Sequence, residues 1–406
     1  MDAIPVLRGK RVLLGVSGSI AAYKAADLAS RLTQAGVHVD AILTAAAVRF
    51  VTPLTFQAVT GRPAHADLWS TDAHVLHVGL AEGADLLLVA PATADVLGKL
   101  AHGLADDLLT VTALAARCPL LVAPAMDAGM FEHPAVQANL GALRARGATV
   151  IGPAEGRMAS GLAGRGRMLE PEEILGYVRR AAGRNGPLAG RRVVVTAGGT
   201  EEPVDPVRVL ANRSSGKQGF AVAQAALDRG AEVTLIAAPC SLPTPMGASR
   251  LDVRTAQEMA DAVLDACGGA DALVMAAAVA DFRPARPAAH KRKKDAGPPV
   301  LELEPTTAIL RAVAEARARS GRPACVVGFA AETGDLLANA RRKLQAKRLS
   351  LVVANDVSQA DAGFGAESNR VALIDAAGAE ELPLLSKAEV AERILDRVGA
   401  LLAARA

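Results

Sequence analysis

The chain has 406 residues, and a single hydrophobic core stops growing near about 250–300 residues, so this length predicts two domains. Apolar residues make up 51% of the chain and aromatic residues only 2%, which supplies two cores of small side chains and excludes a disordered protein. With 45 basic and 42 acidic residues the charge is nearly balanced, so the composition requires no nucleic-acid partner.

Cysteine usage and hydropathy predict the compartment. The four cysteines lie far apart, without the paired spacing of a zinc site or the density of a disulfide scaffold. No apolar run reaches the ~18 residues that a membrane span needs. We therefore expect a cytoplasmic protein with neither a membrane nor a nucleic acid as partner.

The first half of the chain alternates buried strands with helices. An apolar run at 11–16 ends in a Gly/Ser turn, a helical period covers 20–36, and a second apolar run follows at 37–43. Further buried strands are predicted at 85–90 and 119–123, each followed by proline. This order predicts a doubly wound parallel sheet.

A second half repeats the same order of elements after a cluster of Gly, Pro and Asn at 183–190. The cluster divides the chain into predicted domains 1–189 and 190–406. The second domain has predicted strands at 192–196, 232–237, 272–275, 324–327 and 351–353, and a predicted helix at 332–348. The fold class is therefore α/β, with two doubly wound Rossmann-like domains.

Polar loops follow three strands of the first half. Carboxyl ends of parallel strands are where open α/β sheets bind ligands, and glycine with serine before a helix favours a phosphate there. A tight turn with a serine N-cap is the alternative for the first loop. The candidate ligand-binding residues are Gly15, Ser17, Gly18, Ser19, Thr44, Pro91, Ala92, Thr93 and Asp95.

Two histidines, His74 and His77, lie shortly before the predicted strand at 85–90. Either residue by itself is more typical of a helix cap or a packed side chain than of a catalyst. The surrounding motifs favour catalysis. They are GVSGSIAAYK, PATADVLGKLAHGLADDLL, PAMDAGMFEHPA and GRMASGLAGRGRM.

In content and order these motifs resemble the flavin-dependent cysteine decarboxylase family over residues 10–175. The resemblance implies an FMN cofactor held by the strand-end residues and a catalytic histidine at His77. It also implies oxidation of a substrate thiol, after which CO2 is lost. Imidazole titrates near neutrality and suits the base that this chemistry needs.

Two positions depart from the family pattern. Asp127 stands where the family has an asparagine that binds the substrate carboxylate, and Ser160 stands where the family has a proton-donating cysteine. Two carboxylates repel unless one is protonated or a cation bridges them, and an alcohol is a much weaker acid than a thiol. We expect the two departures to compensate, with a protonated Asp127 as donor and Ser160 as a relay on a substrate-covering flap.

Anion-binding patterns also recur in the second half. Asn212 and Lys217 lie in a polar loop before a helix, Asp281 ends a buried strand, and a basic run covers 290–295. A long capped connection and a solvated basic loop are the alternatives. Lys343 and Lys347 share one helical face, which suits phosphates but is also typical of an ordinary helix surface.

The order of these features resembles bacterial phosphopantothenate–cysteine ligase over residues 190–390. The resemblance implies CTP and Mg²⁺, a role for Asn212 in handling an acyl-cytidylate, and Asp281 as the metal ligand. Thr307 and Ala308 replace the family's Pro-Asp, so that carboxylate is absent here. The implied CTP-binding residues are Met275, Ala276, Ala277, Asp281, Lys291, Thr307, Phe329, Lys343 and Lys347.

Together the two resemblances imply one pathway, because the product of the second domain is the substrate of the first. 4'-Phosphopantothenate, L-cysteine and CTP would enter, and 4'-phosphopantetheine, a coenzyme A precursor, would leave. The alternative is a ligase whose flavin-binding domain is an impaired scaffold. The families also imply a homo-oligomer, with trimers of the flavin domain building a dodecamer and dimers of the ligase domain.

Overall fold

The chain folds into two compact units, Met1–Ala182 and Gly183–Ala406, in a computed structural model. No helix in the described part of the chain is long and apolar enough to cross a membrane. The structure describes residues 3–69, 75–291, 300–332, 335–356 and 365–404.

A parallel sheet of order β3-β2-β1-β4-β5-β6 forms the centre of the first unit. Successive side chains of the central strand enter opposite cores, since Leu13 packs on one face of the sheet and Leu14 on the other. The strands are β1 Arg11–Val16, β2 His38–Leu43, β3 Ala64–His65, β4 Leu86–Ala92, β5 Leu120–Pro124 and β6 Thr149–Val150.

Helices cover both faces of this sheet, and an antiparallel hairpin of β7 (Ala154–Arg157) and β8 (Ala163–Arg167) follows it. The doubly wound prediction for this half is confirmed. The helices are α1 Ala22–Gln34, α2 Pro53–Thr60, α3 Leu76–Glu82, α4 Ala94–His102, α5 Leu108–Ala115, α6 Ala128–Glu132, α7 Pro134–Ala145 and α8 Pro171–Gly183.

The second unit is built on an eight-stranded sheet of order β13-β12-β9-β14-β17-β18-β20-β21. Its members are β9 Arg192–Ala197, β12 Glu232–Ala237, β13 Ser249–Asp252, β14 Ala272–Met275, β17 Cys325–Glu332, β18 Leu351–Asp356, β20 Val371–Ile374 and β21 Ala379–Glu381. Short pairs are β10 Glu201–Pro203 with β11 Val209–Ala211, β15 Phe282–Pro284 with β16 Leu303–Pro305, and β19 Ser368–Asn369 with β22 Leu385–Ser386. The helices are α9 Lys217–Asp228, α10 Ala256–Cys267, α11 Ile309–Ser320, α12 Leu336–Ala346 and α13 Lys387–Ala403.

Several predicted bounds in this unit are wrong, since the strands expected at 324–327 and 351–353 extend to Glu332 and Asp356. The helix expected at 332–348 begins only at Leu336, because the preceding strand continues to Glu332 and pairs there with Asp356. The helix also ends at Ala346, which leaves Lys347 as its C-cap. Strand pairing therefore overrides the helical pattern at the start of this segment.

Each main sheet reverses its strand order at one point. In the first unit β1 has β2 on one side and β4 on the other, and in the second β9 lies between β12 and β14 in the same way. The connections after these strands diverge at such a point and leave a crevice at the carboxyl edge. The candidate sites of both units lie in the loops that follow β1, β4, β9 and β14.

A buried ion-pair cluster supports the opposite end of the first unit. The Asp40 side chain is only 4% exposed and accepts hydrogen bonds from Arg11 Nε at 2.6 Å and Arg62 Nε at 2.7 Å. Burial raises the pKa of Asp40, but the bonds from Arg62 and Arg11 outweigh burial, so its pKa lies below the ordinary value. The ionised form is therefore the one that the fold stabilises.

We expect Asp40→Asn to lower the free energy of unfolding by about 2 kcal/mol at pH 7, because two half-buried guanidinium groups lose their carboxylate. A depressed folded-state pKa stabilises the protein above the unfolded value of about 4, and this contribution is lost as the pH falls through the folded value. The difference from the parent should therefore narrow below about pH 4. Urea titrations followed by circular dichroism measure the free energy of unfolding at each pH. The control is Asp27→Asn, which removes the exposed ion pair between Asp27 and Arg31. If the free energies of unfolding of the parent and Asp40→Asn differed as much at pH 3 as at pH 7, the stabilising role of the ionised Asp40 would be contradicted.

Candidate functional site

The loops after β1 and β4 are fastened together by one side chain. Ser17 is fully buried, and its Oγ donates to the carbonyl of Pro91 at 2.8 Å and accepts from the N–H of Thr93 at 3.0 Å. The hydroxyl is therefore bonded within the protein, and the place of Ser17 in an FMN site stays a prediction. Its effect is to hold the two strand-end loops at a fixed separation.

Two predicted glycines permit close packing of protein against protein. A Cβ at Gly15 would lie 2.4 Å from Leu109 Cδ1, and a Cβ at Gly18 would lie 2.4 Å from the Cβ of Ala46. Since real Cβ atoms do not approach so closely, larger residues would push α5 and the loop after β2 away. The glycines thus shape the crevice by bringing its walls together.

Unpaired backbone donors lie at the crevice edge in the first turn of α4. The N–H groups of Ala94 and Asp95 have no acceptor among the described residues, while that of Val96 is capped by Thr93 Oγ1 at 3.5 Å. Such N–H groups bind phosphate at a helix N-terminus. This part of the structure fits the phosphate of a flavin mononucleotide.

The other predicted flavin contacts lie around the same edge. Thr44 is buried and its hydroxyl accepts from the N–H of Ala47 at 3.2 Å, so it shapes the loop after β2. The N–H of Ala21 similarly bonds Ser19 Oγ at 3.2 Å. Asp95 points outward, with its carboxylate 70% exposed and 3.4 Å from Lys99 Nζ.

His77 lies in the first turn of α3 and is half-buried. Its helix packs on α5, the helix whose Leu109 touches the end of β1 at Gly15. The imidazole has no hydrogen-bond partner among the residues that the structure describes. The alternative histidine, His74, lies outside the described residues.

The two departures from the family pattern meet in the structure. Ser160 Oγ donates to Asp127 Oδ2 at 2.6 Å, and the other oxygen of Asp127 accepts from the N–H of Gly129 at 3.2 Å as the N-cap of α6. Ser160 is exposed and Asp127 is partly buried. Sequence reasoning linked the pair chemically, and the fold places them in direct contact although 33 positions separate them.

The contact depends on how the β7–β8 hairpin lies on the segment after β5. Met126 N–H donates to the carbonyl of Gly166 at 3.0 Å. A Cβ on Gly166 would lie 2.2 Å from the Met126 oxygen, and one on Gly164 would lie 2.8 Å from the Cβ of Ala128. The small residues of β8 therefore let the hairpin seat against this segment and carry its tip, with Ser160, over Asp127.

A cavity of about 640 Å³ occupies the carboxyl edge of the second unit's sheet. This volume matches the clefts that hold nucleotide-sized ligands. The structure brings nearly all residues predicted for this site to its walls. They are Asn212, Met275, Ala276, Ala277, Asp281, Thr307, Phe329, Lys343 and Lys347.

Two buried threonines set the shape of the cavity's loops. Thr196 Oγ1 accepts from the N–H of Ala277 at 3.1 Å, and Thr200 Oγ1 accepts from the N–H of Ala280 at 2.9 Å. On the same cavity, Asn212 Nδ2 donates to the carbonyl of Val279 at 3.0 Å. Because that carbonyl can only accept, the Asn212 amide is fixed with its oxygen available to a ligand.

The charged lining of the cavity is strongly cationic. Among the described residues it consists of Arg213, Lys217, Lys343, Lys347 and Lys387 against a single acid, Asp281. Lys343 Nζ also donates to the carbonyl of Phe329 at 2.6 Å, which holds the ammonium against the wall. Such a site suits a polyanion, with Asp281 as the one carboxylate able to share a cation with it.

Two further predictions for this site, Lys291 as a nucleotide contact and Asp281 as the metal ligand, stay predictions. Lys291 is exposed and is not among the residues that line the cavity, and its neighbours 292–299 lie outside the described residues. No group of three or more metal-ligating side chains occurs in the described part of the chain. Any cation at Asp281 would therefore take its other ligands from water and from the anion itself.

Sequence reasoning missed Lys387 and Asn369, which are 7% and 4% exposed and both line the cavity. Burial, and then the charge of Lys217, lower the pKa of Lys387, whereas Glu367 acts to raise it. In the sequence this lysine follows a serine N-cap and resembles any helix-start residue. Only its burial in the folded protein distinguishes it.

Comparison with known proteins covers both units. Residues 6–183 match the Flavoprotein family, and residues 188–402 match the family "DNA/pantothenate metabolism flavoprotein C-terminal domain". The protein of Bacillus subtilis (strain 168) named Coenzyme A biosynthesis bifunctional protein CoaBC is 46% identical over 402 residues, which covers 98% of each chain. The protein of the same name from Mycobacterium tuberculosis (strain ATCC 25618 / H37Rv) is 48% identical over 407 residues and covers 97% of each.

Among solved structures, the C-terminal domain of Coenzyme A biosynthesis bifunctional protein CoaBC is 37% identical, with a TM-score of 0.46. The matched region covers 54% of this chain and 98% of that solved domain. The relatives match nearly the whole length of this chain, through both units and both sets of strand-end loops. The chain therefore belongs to the family of coenzyme A biosynthesis bifunctional proteins.

Proposed function

We propose that this enzyme makes 4'-phosphopantetheine in two steps, with a ligase in residues 190–406 and a decarboxylase in residues 1–189. The observation that carries the proposal is the near-complete coverage by bifunctional relatives at 46–48% identity. Both strand-order reversals support it, because each unit has its own crevice with the polar groups that its step requires.

In the ligase step, the cationic cavity binds CTP and Mg²⁺ and places the α-phosphate near the carboxylate of 4'-phosphopantothenate. Lys343 and Lys347 hold phosphate charge, and Asp281 shares the cation. The carboxylate displaces pyrophosphate to give an acyl-cytidylate, since a free carboxylate is a poor electrophile. The amine of L-cysteine then displaces CMP. The fixed amide of Asn212 orients the acyl group at the cavity mouth.

In the decarboxylase step, the first unit binds 4'-phosphopantothenoylcysteine beside FMN, whose phosphate would lie on the N–H groups of Ala94 and Asp95. When bound, FMN would accept an electron pair from the substrate at the thiol oxidation and would return it after the loss of CO2, because the product is again a thiol. His77 takes the thiol proton. Asp127 and Ser160 lie on the flap side, where they hold a proton near the substrate carboxylate.

We also place the protein in the cytoplasm as a homo-oligomer, with trimers of the flavin unit building a dodecamer and dimers of the ligase unit. The nearly balanced charge and the free cysteines Cys118, Cys240, Cys267 and Cys325 fit a reducing compartment. Analytical ultracentrifugation tests the assembly, and a monomer at micromolar concentration would exclude it.

Substitutions at Asp127 and Ser160 should show unequal effects. Ser160 Oγ donates to Asp127 Oδ2 at 2.6 Å, so the hydroxyl can relay a proton to the carboxyl group that we propose as the donor to the substrate. We expect Ser160→Ala to lower decarboxylation by no more than about 5-fold and Asp127→Asn to lower it by about 100-fold. Rates of CO2 release from supplied 4'-phosphopantothenoylcysteine measure both.

The double substitution is the control for this relation. Ser160→Cys should give little gain in the parent but should restore much of the activity lost in Asp127→Asn, because a thiol is a better acid than an alcohol. A many-fold gain from Ser160→Cys alone would contradict the shared role, and it would show that proton donation is defective in the parent protein.

The proposed function as a whole is tested by supplying each step's substrate separately. Purified protein should be yellow, with FMN near one per chain, and should release pyrophosphate only when CTP, 4'-phosphopantothenate and Mg²⁺ are all present. A colourless protein that does not take up FMN would exclude the first step. Equal turnover with ATP would correct the nucleotide assignment.

A further inference from the structure

Lys387 is the most deeply buried charged residue among the described walls of the cavity, and the acid that acts on it, Glu367, is itself paired with Lys217. Lys387 is only 7% exposed. Its ammonium group makes no hydrogen bond or ion pair with any described residue. It also begins the 17-residue helix α13, whose N-terminal end carries positive partial charge. A buried cation in such a place is unfavourable without an anion. The ammonium of Lys387 therefore favours an anionic group of a ligand at this wall.

Beside it, Asn369 presents an acceptor whose orientation is fixed by a chain of hydrogen bonds. Gln218 Nε2 donates to the backbone carbonyl of Lys387 at 3.0 Å, so Gln218 Oε1 must be the acceptor for Asn369 Nδ2 at 3.2 Å. The Asn369 oxygen is therefore the atom left over. This oxygen is buried and has no donor among the described residues.

A second acceptor lies on the neighbouring strand. Asn355 of β18 pairs with Val371 of β20, two residues beyond Asn369, and its Oδ1 is likewise buried without a donor in the described part of the chain. Asn369 itself pairs with Leu385, two residues before Lys387. The strand register thus brings one cation and two acceptors to the same wall of the cavity.

These groups select a ligand by its chemistry. A phosphate or a lone carboxylate would satisfy Lys387 but would place further acceptors against the two amide oxygens. An ammonium or amine alone would satisfy the oxygens and repel Lys387. A small molecule with both a carboxylate and an amine, that is an α-amino acid, satisfies all three.

We propose that Lys387, Asn369 and Asn355 form the amino-acid subsite of the ligase, with the ammonium of Lys387 on the carboxylate of L-cysteine and the two amide oxygens on its amine. The assignment rests on the proposed ligase function. A neutral amine has two N–H groups and one lone pair, so two acceptors engage both N–H groups and leave the lone pair free.

The subsite accounts for the orientation of the second ligase step. The amine nitrogen attacks the acyl carbon of the acyl-cytidylate, the new C–N bond forms, and the C–O bond to the α-phosphate breaks with its electron pair on CMP. One amine proton is lost to water. Because Asn212 lines the same cavity, the acyl carbon and the amine would meet within one binding site.

Comparison of two amines tests the proposal. Cysteamine has the amine and thiol of L-cysteine without the carboxylate, so only L-cysteine uses Lys387. We expect Lys387→Met to lower kcat/KM for ligation of L-cysteine by about 100-fold, as for loss of one partner from a buried ion pair, and to change kcat/KM for cysteamine less than about 3-fold. Lys387→Arg should recover part of the loss with L-cysteine. Arg393→Met, on the exposed face of the same helix, is the matched control.

Pyrophosphate release in the first turnover without any amine separates this proposal from the proposed function. Lys387→Met should retain it within about 3-fold. If the variant loses this half-reaction, Lys387 belongs to the nucleotide site and the proposal is wrong. Equal losses with L-cysteine and cysteamine would also overturn the proposal, because they would show a structural role for Lys387.

If the parent protein itself releases no pyrophosphate with CTP and 4'-phosphopantothenate, the proposed ligase function is contradicted, whatever the role of Lys387. Retained ligation of cysteamine by the same Lys387→Met sample shows that the second unit is folded.

Discussion

Asn212→Asp should abolish cysteine ligation, with a loss of about 10³-fold, while decarboxylation of supplied 4'-phosphopantothenoylcysteine continues at the parent rate. The substitution removes the N–H donor that holds the side chain on the carbonyl of Val279 at 3.0 Å and sets a carboxylate against that carbonyl. It also adds a negative charge where the triphosphate and the acyl group must lie. Amide formation in the presence of CTP is the measurement.

The control is a change of the same type at the surface of the other unit. Asn139→Asp alters a partly exposed amide that contacts His102 and should leave both activities within about 2-fold, as substitutions away from a site do. Lys291→Gln should reproduce the ligase-only loss if the basic run at 290–295 covers the triphosphate. Loss of both activities in a folded, flavin-bound Asn212→Asp protein would show that the two steps do not take place in separate units.

His77→Asn should lower decarboxylation by about 10³-fold, within the range for removal of a general base, and should leave FMN content and ligation unchanged. Asparagine retains a polar group of similar length but cannot accept the thiol proton near neutral pH. The flavin absorbance of the purified variant and its rate of CO2 release measure the two effects.

His74→Asn is the matched substitution for this test and should keep most of the decarboxylase activity. The reverse pattern, with His74→Asn inactive and His77→Asn active, would reassign the base. Loss of flavin from His77→Asn would instead make His77 part of the cofactor site.

The main sheets could be predicted because their strands are continuous apolar runs bounded by glycine and proline. Residues 232–237 and 272–275 were predicted with the bounds that the structure has. The strand that ends at Glu332 could not be delimited, since Ala331 and Glu332 fit a helix equally well and only pairing with β18 decides between them. Local pattern identifies such elements, and tertiary pairing sets their ends.

The β7–β8 hairpin gave no sequence signal. Its strands are rich in glycine and arginine and lack an alternating apolar face, so no periodicity marks them. The hairpin forms because Gly164 and Gly166 let it lie on the segment around Met126. The Ser160–Asp127 bond that results is a tertiary contact, and sequence reasoning could propose only its chemistry.

Residue type and residue role were predictable to different degrees. Ser17 was identified for its place after β1, but its hydroxyl bonds Pro91 and Thr93 and lies wholly inside the protein. Lys387 was missed because nothing in a sequence shows that one lysine among many is buried. Exposure and hydrogen-bond direction therefore require coordinates, whereas the location of strand-end loops does not.

The central claim is that one chain carries out both steps, and conversion of 4'-phosphopantothenate to 4'-phosphopantetheine tests it most directly. With L-cysteine, CTP and Mg²⁺ present, we expect one CO2 and one pyrophosphate for each 4'-phosphopantetheine formed, without loss of flavin. Accumulation of 4'-phosphopantothenoylcysteine with no CO2, in protein that retains its FMN, would contradict the account and would leave a ligase joined to a flavin-binding scaffold.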